Sequence, residues 1–136
     1  MIRSPLFIGA SSERERATRI GSARLLVGAT LLAPGGLGRR LFRVPESHDN
    51  QTTRLLGRLF GIRNVVFGTW ALLARDQDVE QRRLCYRLNA AVDAADVVAL
   101  AWAMRQDPQL RIAGMMSTAL GTSALLAWLE LMADAG

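Results

Sequence analysis

The stretch IAGMMSTALGTSALLAWL, Ile112 to Leu129, decides the fold class because it runs for 18 residues without a charged side chain. A helix of that length reaches about 27 Å at 1.5 Å per residue, close to the thickness of the hydrocarbon core of a bilayer. Its few serines and threonines are too sparse to give a soluble helix a hydrated face. The sequence therefore predicts a transmembrane helix here.

Three further apolar segments precede this one, and turn or charge signals bound them. The first stops at Pro34-Gly35-Gly36, and the third stops before Pro108, where proline prevents the helix from continuing. The predicted helices cover approximately residues 20–33, 55–74, 84–104 and 111–131 of a single domain, 1–136. Residues 1–19 are predicted to form a polar, flexible N-terminal arm, unless the first helix begins earlier, at Glu13. The predicted fold is all-α, a four-helix transmembrane bundle with short loops, in a multi-pass protein of the cell membrane.

The charge balance favours lipid headgroups over nucleic acid as the partner. The 136 residues include 17 basic residues, all of them arginine, and 12 acidic ones, for a net charge of +5. The arginines flank the apolar segments along the whole chain and form no concentrated stripe. The single cysteine, Cys85, rules out an intramolecular disulfide and a cysteine-based zinc site. We expect no cofactor and no metal, and the arginine counts at the two ends do not decide the orientation in the membrane.

Charges inside the first three segments leave a soluble alternative open. A basic, soluble helical bundle would carry charged residues along one face of every helix. The charges here are too few and too widely spaced for such faces, so the membrane protein is the preferred interpretation. Trp70, Trp102 and Trp128 lie near segment ends, where interfacial aromatic side chains are expected.

Glycine spacing predicts close helix packing in three of the four segments. Gly21 and Gly28, Gly61 and Gly68, and Gly114 and Gly121 are each seven residues apart, so each pair lies on one helix face. Gly57 adds a G-x-x-x-G pattern with Gly61. Small residues on a face allow transmembrane backbones to approach each other.

Two aspartates lie near the middle of the third segment and require partners. Asp93 and Asp96 are three residues apart and share a helix face. A lone carboxylate at mid-bilayer costs about 3 kcal/mol. The second and third segments are antiparallel around a short loop, and Arg63 lies about as far from that loop as the aspartates do. Arg63 is therefore the predicted partner of both carboxylates.

Other residues can complete this predicted cluster. Arg24 is a second candidate partner, and Asn64 or Asn89 can satisfy remaining hydrogen-bonding groups. The cluster is either a structural ion-pair set that fixes helix register or a site that handles protons or binds an anion. In the second case Asp93 and Asp96 are the candidate catalytic residues.

The run FGIRNVVFGTWALLAR (Phe60 to Arg75), followed by NAAVDAADVVAL (Asn89 to Leu100), carries a family resemblance. It resembles uncharacterised small four-helix membrane proteins of high-GC bacteria, with their patterns G-x-R-[DN]-x-x-x-G and A-D-A-x-D. The likeness covers residues 21–100 and includes R-L-x-x-G from Arg24. Asn64 stands where that family often has aspartate. The resemblance implies a membrane protein and no particular activity.

Two functional hypotheses follow for an integral membrane protein. The first is an accessory or interaction subunit that packs with itself, as a homo-oligomer, or with another membrane protein, and contacts membrane lipids. The alternative is a membrane-embedded enzyme or carrier for a lipid, an isoprenoid or an anionic ligand, in which the Asp/Arg cluster acts. No nucleic-acid partner is expected.

Overall fold

The computed structural model describes residues 4–135, and all regular secondary structure in that range is helical. The helices are α1 (Glu13–Leu32), α2 (Leu37–Leu41), α3 (Gln51–Ala74), α4 (Val79–Gln106) and α5 (Arg111–Asp134), with short 3₁₀ turns between some of them. The prediction of an all-α fold is confirmed. The five-residue α2 was not predicted, because five residues next to two glycines carry no helical periodicity.

Side-chain caps place the helix starts earlier than the apolar patterns do. Ser12 accepts a hydrogen bond from the Glu15 backbone N–H at 3.1 Å, and α1 begins at Glu13, the earlier of the two starts considered and seven residues before residue 20. Asn50 and Asp78 cap α3 and α4 in the same way. Part of the expected N-terminal arm is therefore helical, and Phe7 within it is buried.

The four long helices form two hairpins. Helix α1 packs along α3, and α4 packs along α5, whereas contacts between the two pairs are fewer. The buried apolar residues cluster where α3 turns into α4; Trp128, Tyr86, Ile20 and Leu131 are the largest of them. We call this the closed end. The opposite end, formed by residues 37–58 and 105–111, is called the open end; the buried apolar cluster does not reach it, and polar contacts between loops join the hairpins there.

The glycine faces bring α1 and α3 together, as predicted. A Cβ atom added to Gly28 would lie 2.8 Å from the Gly61 carbonyl oxygen, and one added to Gly68 would lie 2.8 Å from that of Gly21. Gly57 differs, since nothing lies within 4 Å of its added Cβ. The antiparallel α1–α3 contact is therefore one of backbone against backbone.

Large apolar side chains cover much of the outer surface. Val98 is 70% exposed, Leu26 67% and Trp102 64%. The interior holds two asparagines and charged side chains besides the apolar cluster of the closed end. Exposed apolar surface of this extent is uncommon in water-soluble monomers.

Length and composition identify one clear membrane-span candidate among residues 4–135. It is Pro108–Asp134, whose most apolar window has a mean hydropathy of 1.4 and is only 17% buried within the chain. Glu13–Leu32 and Pro34–Leu41 would qualify together, but they are bent by 104°. The second and third predicted segments do not meet this criterion.

Candidate functional site

The centre of the site is an ion pair between α1 and α4. Arg24 donates a hydrogen bond to Asp93, and the two side chains are each 6% exposed. Arg24 also donates to the Asn64 side-chain oxygen at 3.0 Å, and the Trp128 indole N–H donates to Asp93 at 2.8 Å. The predicted buried Arg–Asp salt bridge is confirmed. All four long helices contribute a side chain to it.

Aromatic rings surround the Arg24 guanidinium. Its central carbon lies 5.7 Å from the centroid of the Phe67 ring and 5.6 Å from that of Trp128. A cation over an aromatic face is attracted by the ring quadrupole, and the attraction is stronger where water is excluded. The rings therefore hold Arg24 in place beside its carboxylate.

A second ion pair lies one turn closer to the open end. Arg63 of α3 donates to Asp96 of α4, with 33% and 23% of the side chains exposed. The Arg63 guanidinium also lies over the Phe60 ring, 4.5 Å from its centroid. The expectation that Arg63 would bind both aspartates is wrong, since Arg24 takes Asp93. Helices α3 and α4 share far fewer contacts than α1 and α3 do. The close α1–α3 contact holds Arg24 of α1 beside the cluster, where it reaches Asp93.

Asn64 completes the cluster in the expected way, whereas Asn89 does not. Asn64 bonds to Arg24 and, through its amide N–H, to the Phe60 carbonyl oxygen at 2.9 Å. Asn89 lies outside the cluster: its side chain donates to the Cys85 carbonyl oxygen at 2.9 Å. Helical spacing could not separate the two, because the direction of an asparagine amide depends on its tertiary partners.

Sequence reasoning missed Trp128 as a member of the site. Its predicted interfacial position is wrong: Trp128 is fully buried and bonds to Asp93. Its place near a segment end carried no sign of this contact. Trp102 is largely exposed and Trp70 is partly buried.

The two ion pairs line a cavity between the hairpins with a volume of about 750 Å³. On α1 its wall runs from Leu31 to Ile20, a depth of about 17 Å. The other helices supply mainly apolar walls, such as Leu56, Phe60 and Leu120. A space of this kind, apolar with a few converging polar groups, is typical of a small-molecule site.

Two groups inside the cluster have unused hydrogen-bonding capacity. The Nε atoms of Arg24 and Arg63 are buried and have no partner among the described residues. Each arginine nevertheless has a carboxylate of its own, so the four charges balance. Within residues 4–135 no three His, Cys, Asp or Glu side chains come together as a metal-binding set.

The open end of the molecule has its own polar contacts. His48 Nε2 lies 2.6 Å from an Asp107 carboxylate oxygen, and the Ser47 hydroxyl donates to the Gln109 side-chain oxygen at 2.7 Å. These contacts join the loop after α2 to the loop between α4 and α5. They connect the two hairpins at the end where the apolar core is absent.

Comparisons with protein-family models, with curated proteins and with solved structures found no match for this chain. The resemblance to small membrane proteins of high-GC bacteria therefore stays a prediction.

Proposed function

We propose that this chain is a small integral membrane protein that binds an amphipathic molecule from the bilayer, a lipid or an isoprenoid, in the cavity between its hairpins. The single observation that carries the proposal is this cavity of about 750 Å³, with apolar walls and two ion pairs. It supports the carrier or enzyme alternative over an accessory subunit.

The outer surface supports a membrane location. No exposed charged residue lies between Arg87 and Arg105 on α4, or between Arg111 and Asp134 on α5. At 1.5 Å per residue these intervals measure about 27 Å and 35 Å, which brackets a hydrocarbon core of about 30 Å. Four membrane-spanning helices would place the two ion pairs within the bilayer, where ionisable groups usually have a function.

The glycine faces no longer support an accessory subunit. Gly21 and Gly28 of α1 are used against Gly61 and Gly68 of α3 within the same chain. Gly121 faces Val97 of α4. These faces are therefore not free to pack against another protein.

The proposal is tested by placing a larger side chain inside the cavity. Ala103 of α4 lines the cavity, whereas Ala91 of the same helix is exposed and lies outside it. We expect native mass spectrometry from mild detergent to find a lipid-sized molecule bound to the wild-type protein and to the Ala91→Phe variant. Ala103→Phe should lose most of that occupancy. A wild-type protein that retains nothing, or an Ala103→Phe variant with unchanged occupancy, would contradict the proposal.

A further inference from the structure

The open end of the molecule is strongly basic, whereas the closed end is neutral. Residues 37–58 and 105–111 contain seven arginines and three acidic residues. At the closed end, residues 4–19, 75–87 and 130–135 contain seven of each. The excess of positive charge therefore lies at the end whose residues Gly38, Arg39, Val44 and Thr53 line the cavity.

Two arginines at this end of the molecule share one carboxylate. Asp49 pairs with Arg39, which lines the cavity, and with Arg54, whose Nε lies 2.9 Å from an Asp49 oxygen. Arg58 lies one helical turn beyond Arg54, is exposed, and forms no ion pair within the described residues. It lies on the side of α3 opposite to Leu56 and Phe60, which line the cavity. Arg39 and Arg54 share a single carboxylate at this end of the cavity, so one positive charge of the pair is left uncompensated.

The depth of the cavity indicates how a ligand would lie. The wall from Leu31 to Ile20 measures about 17 Å, and one leaflet of the hydrocarbon core is about 15 Å thick. A chain inside the cavity would thus reach from the headgroup level to the middle of the bilayer. The inner ion pairs are neutral as a set. A preference for lipids with a negatively charged headgroup must therefore arise at the basic open end.

From this arrangement we infer that the ligand is an anionic phospholipid, with its apolar chain in the cavity and its negatively charged phosphate headgroup held by Arg39 and Arg54. Guanidinium groups suit this role because their planar donors match the oxygens of a phosphate. The inference rests on the proposed function, since it names the headgroup of the molecule that the cavity holds.

The test measures lipid affinity by native mass spectrometry of the detergent-solubilised full chain. The probes are a phosphatidylglycerol and a phosphatidylcholine with the same acyl chains, and inorganic phosphate. We expect phosphatidylglycerol to bind about tenfold more tightly than phosphatidylcholine. The variant Arg54→Gln, which leaves the Arg39–Asp49 pair in place, should lose this preference. Arg58→Gln, at an exposed residue on the opposite side of α3 from the cavity, should keep it.

A matched control removes two charges from the closed end. The Arg83→Gln/Arg87→Gln variant should keep the preference, and Ala103→Phe should abolish the binding of both lipids. The inference is overturned if the wild type binds the two lipids equally, or if the Arg83→Gln/Arg87→Gln control loses as much of the preference as the open-end variant. Either result leaves the proposed function standing. A wild-type protein that binds neither lipid and retains no lipid-sized molecule from the membrane overturns the proposed function itself. Inorganic phosphate that binds as tightly as the anionic lipid also overturns the inference, because the ligand would then be a free anion.

Discussion

At the residue scale, the buried Arg24–Asp93 pair is stable only while both charged side chains are present. Each charge loses its hydration when it is buried, and its partner and the neighbouring donors compensate for that loss. Asp93 has two donors, Arg24 and Trp128, while Arg24 has Asn64 and two aromatic rings around it. Removing one member therefore leaves an uncompensated charge in an apolar surrounding.

Because each charge depends on its partner, the effects of removing Asp93 and Arg24 on the unfolding free energy should not be additive. We expect Asp93→Asn and Arg24→Gln each to lower the free energy of unfolding by about 3–5 kcal/mol, since each leaves one buried charge without its partner. The double variant should lose less than the sum of the two. Denaturant titration of the detergent-solubilised protein measures all three. Strictly additive effects would contradict the coupling between the two residues. As a control, Asp76→Asn, in an exposed pair with Arg14, should change the unfolding free energy little.

The sequence predicted which charged residues meet but not how they pair. Spacing placed Asp93 and Asp96 on one face and Arg63 near their level, and the structure pairs Arg63 with Asp96. The partner of Asp93 depended on the distance between α1 and α4, which no local pattern encodes. Trp128 joins the cluster for the same reason.

At the scale of elements, the α1–α3 contact depends on the absence of side chains at four positions. The interface brings Gly28 and Gly61, and Gly21 and Gly68, so close that a methyl group would meet backbone atoms. Backbone atoms cannot rotate away as a flexible side chain can. Small changes at these positions should therefore separate the helices.

Two glycines on these helices form a matched pair for this prediction. Gly28→Ala should destabilise the protein, because its Cβ would lie 2.7 Å from a Val65 methyl group and 2.8 Å from the Gly61 carbonyl oxygen. Gly57→Ala has open space and should stabilise α3 by about 0.5–1 kcal/mol through the lower entropy of the unfolded chain. Thermal unfolding of both variants measures the contrast. Similar melting temperatures would contradict the close contact.

The contact between the two open-end loops predicts a pH dependence. The Gln109 backbone N–H and His48 lower the pKa of Asp107 below its ordinary value. A lowered pKa in the folded state stabilises the protein above the unfolded-state pKa of about 3.9, and this contribution is lost as the pH falls through the folded pKa.

The measurement is the difference in unfolding free energy between the wild type and the Asp107→Asn variant. We expect the wild type to be more stable at neutral pH and the difference to shrink below about pH 4. The titration should be run from pH 7 down to the acid limit of folding. A difference that stays constant or grows toward low pH would contradict the assignment.

At the scale of the whole molecule, the two hairpins meet in the apolar cluster of the closed end, and a cavity between them extends from Ile20 to the open end. The largest buried side chains lie at the closed end, and the large apolar side chains elsewhere face outward or line the cavity. Such a surface requires an apolar environment if the protein is to remain dispersed.

A charge placed on the outer surface distinguishes membrane from water. Val98 is 70% exposed at the middle of α4, and Leu84 is 53% exposed between Arg83 and Arg87. In a bilayer, Val98→Arg should cost about 2.5–3.5 kcal/mol and reduce the protein recovered in the membrane fraction, whereas Leu84→Arg should be tolerated at the headgroup level. Membrane pelleting without detergent, with quantification of both variants, measures the effect. Wild-type protein that stays in the supernatant would contradict the membrane location.

The sequence by itself determined the helical class and the approximate position of the four long helices, and it identified the charged residues that require partners. These properties are local: proline, glycine and capping residues end helices, and hydropathy is a property of each segment. Only the tertiary structure decided that Arg24 pairs with Asp93, that Trp128 is buried, and that the hairpins separate around a cavity. Those features depend on distances between helices far apart in the chain, which are set by close contact at the glycines and by the aromatic core at one end.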